Sequence, residues 1–252
     1  MKIIKFTLSG KSAFFKKPEV NTYYYFTYGN IHKLALLGMF GAILGYKGYS
    51  ACRGKMSKKD MKTVDDYPEF YEKLHHMKLS ILPNFEKGFI PKKIQVFNNS
   101  VGYASKEQGG NLIVKEQWLE NPSWDIAFLV NSKETEQLAE ALKNRRCIYT
   151  PYLGKNDHLA DISNVEELET SPGCMTESLD CLAVKSQVKM VISDDDDDFE
   201  ELDQFKYEEK LPYKLNIDTN NYEFETFIYT NMPVEIVSGE VYCIQDKHVM
   251  FY

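Results

Sequence analysis

The run from Ile31 to Gly45, IHKLALLGMFGAILG, is the strongest constraint in the sequence. Read as a helix it is apolar on nearly every side, so it offers no face to water and must be enclosed by a sheet and other elements. Asn30 is the expected N-cap. Gly38, Gly41 and Gly45 share one helical face although each interior glycine costs about 1 kcal/mol relative to alanine, so something must approach that stripe closely. A packed strand is one candidate and a phosphate backbone the other.

Elements that can enclose this helix follow along the chain. Ile3 to Phe6 reads as a first strand, and Tyr67 to Leu82 carries the periodicity of a short helix that Pro83 ends. Ile94 to Phe97 and Leu112 to Trp118 flank NNSVGYASKEQGGN, whose Gly109-Gly110 is a turn signal, and predict a long β-hairpin. Trp124 to Val130 reads as a buried strand, Ser132 as the cap of the amphipathic helix ETEQLAEALKNR, and Cys147 to Thr150 as a closing strand. This order predicts an α+β fold of the ferredoxin-like, β-α-β-β-α-β kind. At 252 residues the chain is long enough for that domain, over about 1–165 with a thumb hairpin at about 93–119, and an appended acidic, β-rich part over 166–252. In that second part strand-like runs at Ala183 to Ile192 and Val234 to Val249 bracket SDDDDDFEELDQFKYEEK. Like charges repel, so residues of about 193–210, with Asp194 to Asp198, are expected in an exposed loop.

Charge divides the chain in the same way. The net charge is −7, yet residues 1–60 hold 11 Lys/Arg against 2 Asp/Glu, while residues 121–252 hold 11 against 27. A polyanion partner for the N-terminal part fits this asymmetry, against the plainer alternative of solvated surface lysines. Common catalytic signatures are missing: there is no phosphate-loop motif, no H-E-x-x-H and no G-x-S-x-G, and adjacent His75 and His76 point in different directions. No metal site or cofactor is expected. The five cysteines form no C-x-x-C pair and fit free thiols in a reducing cytosol. With no apolar leader and no run of about 20 apolar residues, a soluble, cytoplasmic protein without membrane contact is expected.

The stretch FFKKPEVNTYYYFTYGN, Phe14 to Asn30, then becomes the natural candidate for the polyanion. Lysines neutralise phosphates, and aromatic rings stack on unpaired bases for about 1 to 3 kcal/mol each, which together make the palette of single-stranded RNA recognition. The candidate RNA-binding residues are Lys11, Phe14, Phe15, Lys16, Lys17, Asn21, Tyr24, Thr27, Tyr28, His32, Lys33, Arg53 and Lys55. Asn21 and Thr27 would reach base edges or the 2′-hydroxyl. About half of the rings in an extended aromatic segment must face inward, because alternate residues point to opposite sides.

The same residues carry a resemblance. GKSAFFKKPEVNTYYYFTYGNIHKLALLGMFGAILGYKG after a short strand, together with TPYLGKNDHLADI at Thr150 to Ile162, resembles the CRISPR-associated Cas-five family of RAMP proteins, most like its I-B members. The resemblance spans about the first 165 residues. It implies a non-catalytic subunit of a type I Cascade complex that grips the 5′ handle of the crRNA and caps one end of the complex. A backbone subunit and the large subunit would be its neighbours, and target DNA would be met only through the complex. I-C members of the family cut precursor RNA with Tyr, Lys and His side chains, without metal. Tyr46 stands near the tyrosine position here, but Glu116 follows Lys115 where a Lys-His pair would be wanted, so nuclease activity is the alternative rather than the expectation.

Overall fold

Alternation in KIIKFTLS is realised as strand β1 (Lys2–Ser9), which buries side chains on both faces. It lies between β6 (Ser123–Leu129) and β7 (Asp161–Glu169), and β6 pairs on its other side with β3 (Leu79–Pro83). All neighbours are antiparallel and the order is β3-β6-β1-β7. The computed structural model describes residues 1–19, 23–49, 67–98, 100, 102, 106–108, 110–191, 204–216 and 218–252.

Helix α1 (Lys33–Leu44) connects β1 to β3, α2 (Glu69–Leu74) lies between them, and α3 (Lys133–Lys143) connects β6 to β7. The apolar faces of α1 and the sheet meet through Phe40, whose ring lies 6.2 Å from Phe6 and 5.9 Å from Phe128. Ser132 caps α3 as expected, in a capping box with Thr135. The other face of the sheet, with Ile3, Leu82, Ala127 and Leu129, is covered by C-terminal residues that include Val241, Tyr242, Ile244 and Val249. A second part of the C-terminal chain, with Leu211, Leu215, Phe227 and Tyr252, joins the helix-side core. Among the described residues no helix is long and apolar enough to cross a membrane.

Several expectations are corrected. The second strand of the sheet is LSILP, Leu79–Pro83, and not a hairpin strand; α2 ends at Leu74, and a short apolar run does not distinguish a helix from a buried strand. The expected hairpin pairs as β4 (Lys92–Asn98) with β5 (Ile113–Glu120), in register Lys92↔Leu119 to Asn98↔Ile113, but in a separate sheet with β2 (Ser12–Ala13). Cys147–Thr150 is no strand: Ile148 N and Tyr149 N donate to Ile43 O and Ala42 O, so the chain caps the end of α1, and β7 closes the sheet instead.

Asn30 is not the N-cap of α1. His32 is, with Nδ1 accepting from Ala35 N at 3.2 Å, while buried Asn30 accepts from Trp124 Nε1 at 2.8 Å. The loop expected over 193–210 overlaps a hairpin of β10 (Lys206–Leu215) and β11 (Tyr222–Thr230), which pairs onward with β8 (Ala183–Val184); Asp194 to Asp198 lie outside the described residues. Cys174 and Cys243 form a disulfide, against the free thiols expected, because the fold brings together two cysteines 69 residues apart; Cys147 and Cys181 are free.

Candidate nucleic-acid interface

Residues 15–17 and 26–28 lie side by side. Lys17 N donates to Phe26 O at 2.8 Å, Tyr28 N to Phe15 O at 2.9 Å, and Phe15 N to Thr27 Oγ1 at 3.0 Å. The returning arm then lies on β5, where Tyr25 N donates to Lys115 O and Tyr25 O accepts from Gln117 N, each at 2.9 Å. Burial sorts the aromatic run in blocks and not by the expected alternation. Phe14, Phe15 and Tyr28 are buried, Tyr23 and Tyr24 are exposed, and Lys16 is exposed with its ammonium 4.0 Å from the centre of the Tyr25 ring.

The loop Pro151–Lys155 forms the facing wall. Phe14 N donates to Leu153 O at 3.1 Å, and Gly154, at φ +89°, sits so close that a Cβ there would stand 2.0 Å from Phe14 O. Only glycine fits, on both steric and backbone grounds. Next to it Lys155 pairs with buried Glu116 at 3.1 Å, and Glu116 also accepts from Trp118 Nε1 at 2.8 Å. Buried His158 completes this wall, with Nδ1 2.7 Å from Ser12 Oγ; burial first, then the Lys155 charge, holds its pKa below the ordinary value.

The floor is the glycine face of α1. Gly41 is packed by Phe70 of α2, where a Cβ would come within 2.4 Å of that ring's own Cβ, so a helix and not a strand answers part of the stripe. At Gly38 a Cβ would meet nothing within 4 Å. The space above it is a cleft of about 1070 Å³ whose lining includes Lys16, Lys47 and Lys155 and the rings of Tyr25, Tyr46, Tyr49, Tyr149 and Tyr152. Tyr149 and Tyr152 are exposed, and the Tyr46 hydroxyl is raised above its ordinary pKa by burial and then by Glu134 and Glu69. Ammonium groups, phenol rings and an open helix backbone in one hollow suit a strand with phosphates and unpaired bases.

The sequence-derived candidates therefore divide. Lys11, Lys16 and Tyr24 are exposed. Phe14, Phe15, Thr27, Tyr28, His32 and Lys33 are buried, and of these Phe14, Phe15 and His32 border the cleft. His32 is fully committed: it caps α1, its ring meets Phe15, Tyr28 and Tyr222 edge-on, and burial lowers its pKa to about 3. Lys33 lies 5.2 Å from the Tyr213 ring, its pKa lowered to about 8 by burial and by Lys214 and Lys78. Lys17 is paired with Glu209 at 3.0 Å. Asn21, Arg53 and Lys55 lie outside the described residues. Tyr49, Tyr149, Tyr152 and Lys155 were not singled out, although RRCIYTPYLGK mixes basic and aromatic residues much as the N-terminal stretch does.

No protein-family model matches the chain, and no curated protein does. Solved structures similar to it include CRISPR-associated proteins. One is a chain of a CRISPR RNA-guided surveillance complex, 12% identical, covering 93% of this chain and 91% of that one with a TM-score of 0.46. A CRISPR protein from Archaeoglobus fulgidus is 11% identical over 99% of this chain and 98% of its own, with a TM-score of 0.47. A chain of a Type III-B Cmr-beta complex bound to cognate target RNA and AMPPnP is 11% identical over 93% and 86%, with a TM-score of 0.48.

Proposed function

We propose that the chain is a non-catalytic RNA-binding subunit of a type I CRISPR Cascade complex, of the I-B kind, that grips the 5′ handle of the crRNA. Residues 1–165 form its ferredoxin-like RAMP domain and 166–252 its β-rich C-terminal part. The order β3-β6-β1-β7, with α1 and α3 in the two crossovers, supports the ferredoxin-like reading. A backbone subunit and the large subunit are its neighbours, the β4–β5 thumb reaches toward one of them, and target DNA is met only through the complex.

One observation carries this reading. The two segments that bear the family resemblance, 10–48 and 150–162, touch each other through Phe14, Leu153 and Gly154, and both line the basic, tyrosine-lined cleft. Gly38→Leu tests it, because the added side chain has room at its Cβ and projects into the cleft. Binding of a labelled single-stranded repeat RNA should fall at least about tenfold while the unfolding temperature holds or rises, since leucine is the better helix former by roughly 1 kcal/mol. Unchanged binding in a folded variant would overturn the assignment.

The second reading is a metal-independent endoribonuclease, favoured by the presence of Tyr46 and Lys47 in the cleft lining. A tyrosine whose pKa is raised is a poor base at neutral pH, and the carboxylate at 116 is tied to Lys155 and Trp118. Incubating the protein with repeat RNA in EDTA separates the two: intact, retained RNA fits the binding subunit, and a cut product fits the nuclease.

A further inference from the structure

Among the described residues that line the cleft are three lysines, and one of them is already neutralised. Lys155 Nζ lies 3.1 and 3.2 Å from the two carboxylate oxygens of Glu116 and 3.6 Å from Asp157, with the centres of the Phe14 and Phe97 rings at 5.7 and 5.5 Å. Lys16 and Lys47 line the same cleft and make no ion pair among the described residues.

Glu116 is the only acidic residue among the described ones in that lining. Its side chain, on β5, is 6% exposed and is held by Lys155 and by Trp118 Nε1, which donates to Oε2 at 2.8 Å, so it cannot swing away from a strand in the cleft. A phosphate brought to this wall would meet a fixed negative charge and an ammonium that already has its counter-ion. A carboxylate has about four lone-pair sites, and the bonds from Lys155 and Trp118 leave one of them open, on Oε1. The neutral donors that a single strand can set there are the ribose 2′-hydroxyl and the amino groups of bases.

We propose that the Glu116–Lys155 pair is the specificity element of the cleft: Glu116 Oε1 accepts from a neutral donor of the strand, a 2′-hydroxyl or a base amino group, while Lys16 and Lys47 hold the phosphates. This rests on the RNA reading of the cleft and adds to it the group that the cleft selects. Rejection does as much as attraction here. A strand that sets a phosphate, or a base with only an acceptor at that edge, against Glu116 brings two acceptors face to face.

Oligo(C) and oligo(U) of one length, each in ribose and deoxyribose form, carry equal charge and test the proposal when titrated into the full chain at several salt concentrations. The wild type should prefer the ribose strands if the donor is the 2′-hydroxyl, or oligo(C) if it is a base amino group, by about tenfold along one of the two axes. Glu116→Met/Lys155→Met removes both charges together and leaves no unpaired buried ion. The preference should then shrink to about twofold or less, while the log-log salt slope stays at its wild-type value because the pair carries no net charge. A slope shallower by about 0.7 would put Lys155 on a phosphate and overturn the proposal, as would a preference that survives the double substitution. If that variant folds poorly, Glu116→Gln, whose amide is a weaker acceptor, should cut the preference severalfold, and an undiminished preference overturns the proposal. A wild type that binds all four strands alike sinks this inference alone; one that binds none of them sinks the RNA reading of the cleft with it.

Discussion

Acid should destabilise this protein through His32 before most carboxylates titrate. The imidazole is buried among Phe15, Tyr28 and Tyr222, and its Nδ1 lone pair is used by Ala35 N, so the folded state holds it neutral with a pKa of about 3. In the unfolded chain the ordinary value is 6.5. Between these limits the unfolded state takes up the proton and the folded state does not, so stability is complete above pH 6.5 and falls as pH drops through that value. A shift of 3 to 4 pK units is worth about 5 kcal/mol at its acid limit, and by pH 5 roughly 2 kcal/mol is already lost. Urea melts at pH 7.5 and pH 5.0 on the wild type and on His32→Asn measure this, since asparagine keeps a capping acceptor without a titrating group. The wild type should lose about 2 kcal/mol more than the variant over that interval. Equal losses would refute the neutral, helix-capping His32 and return it to the list of groups available to RNA.

Two further outcomes follow from the contacts of the opening arm. Gly154→Ala should destabilise by about 2 kcal/mol or more, because its Cβ would collide with Phe14 O at a positive φ, and a thermal melt at wild-type temperature would contradict this. Lys17→Ala should cost about 1 kcal/mol in a urea melt by removing a partner of Glu209, while leaving the salt dependence of RNA binding in the cleft unchanged; a flatter salt dependence would mean that Lys17 contacts the strand.

The sequence made the framework legible where pattern is long and unambiguous. A helix apolar all round at Ile31–Gly45, the capped amphipathic helix after Ser132 and the paired runs of the thumb are each dictated by local periodicity or turn chemistry. Leu79–Pro83 and β10 were not legible, the first because five apolar residues fit either period, the second because its charged outer residues hide an alternation in which Tyr207, Glu209 and Leu211 face inward. The site was half legible. Residue types at 14–28 announce a polyanion surface, but the sorting of Phe14, Phe15 and Tyr28 into the core depends on the backbone pairing of 15–17 with 26–28 and on the approach of Leu153. Tyr149, Tyr152 and Lys155 belong to the cleft only because the chain after α3 crosses the end of α1, a tertiary fact with no local signature.

The central claim is that phosphates of a single strand are held in the cleft. Lys16 and Lys47 both line it, both are exposed and neither makes an ion pair among the described residues, so Lys16→Gln/Lys47→Gln removes two cations without disturbing the fold. Binding isotherms for a labelled single-stranded repeat RNA across a range of salt concentrations decide the matter. The double variant should bind more weakly, with a log-log salt slope shallower by about 1.4, because each lost phosphate contact removes roughly 0.7. A variant that keeps wild-type affinity and slope would contradict the placing of RNA in this cleft.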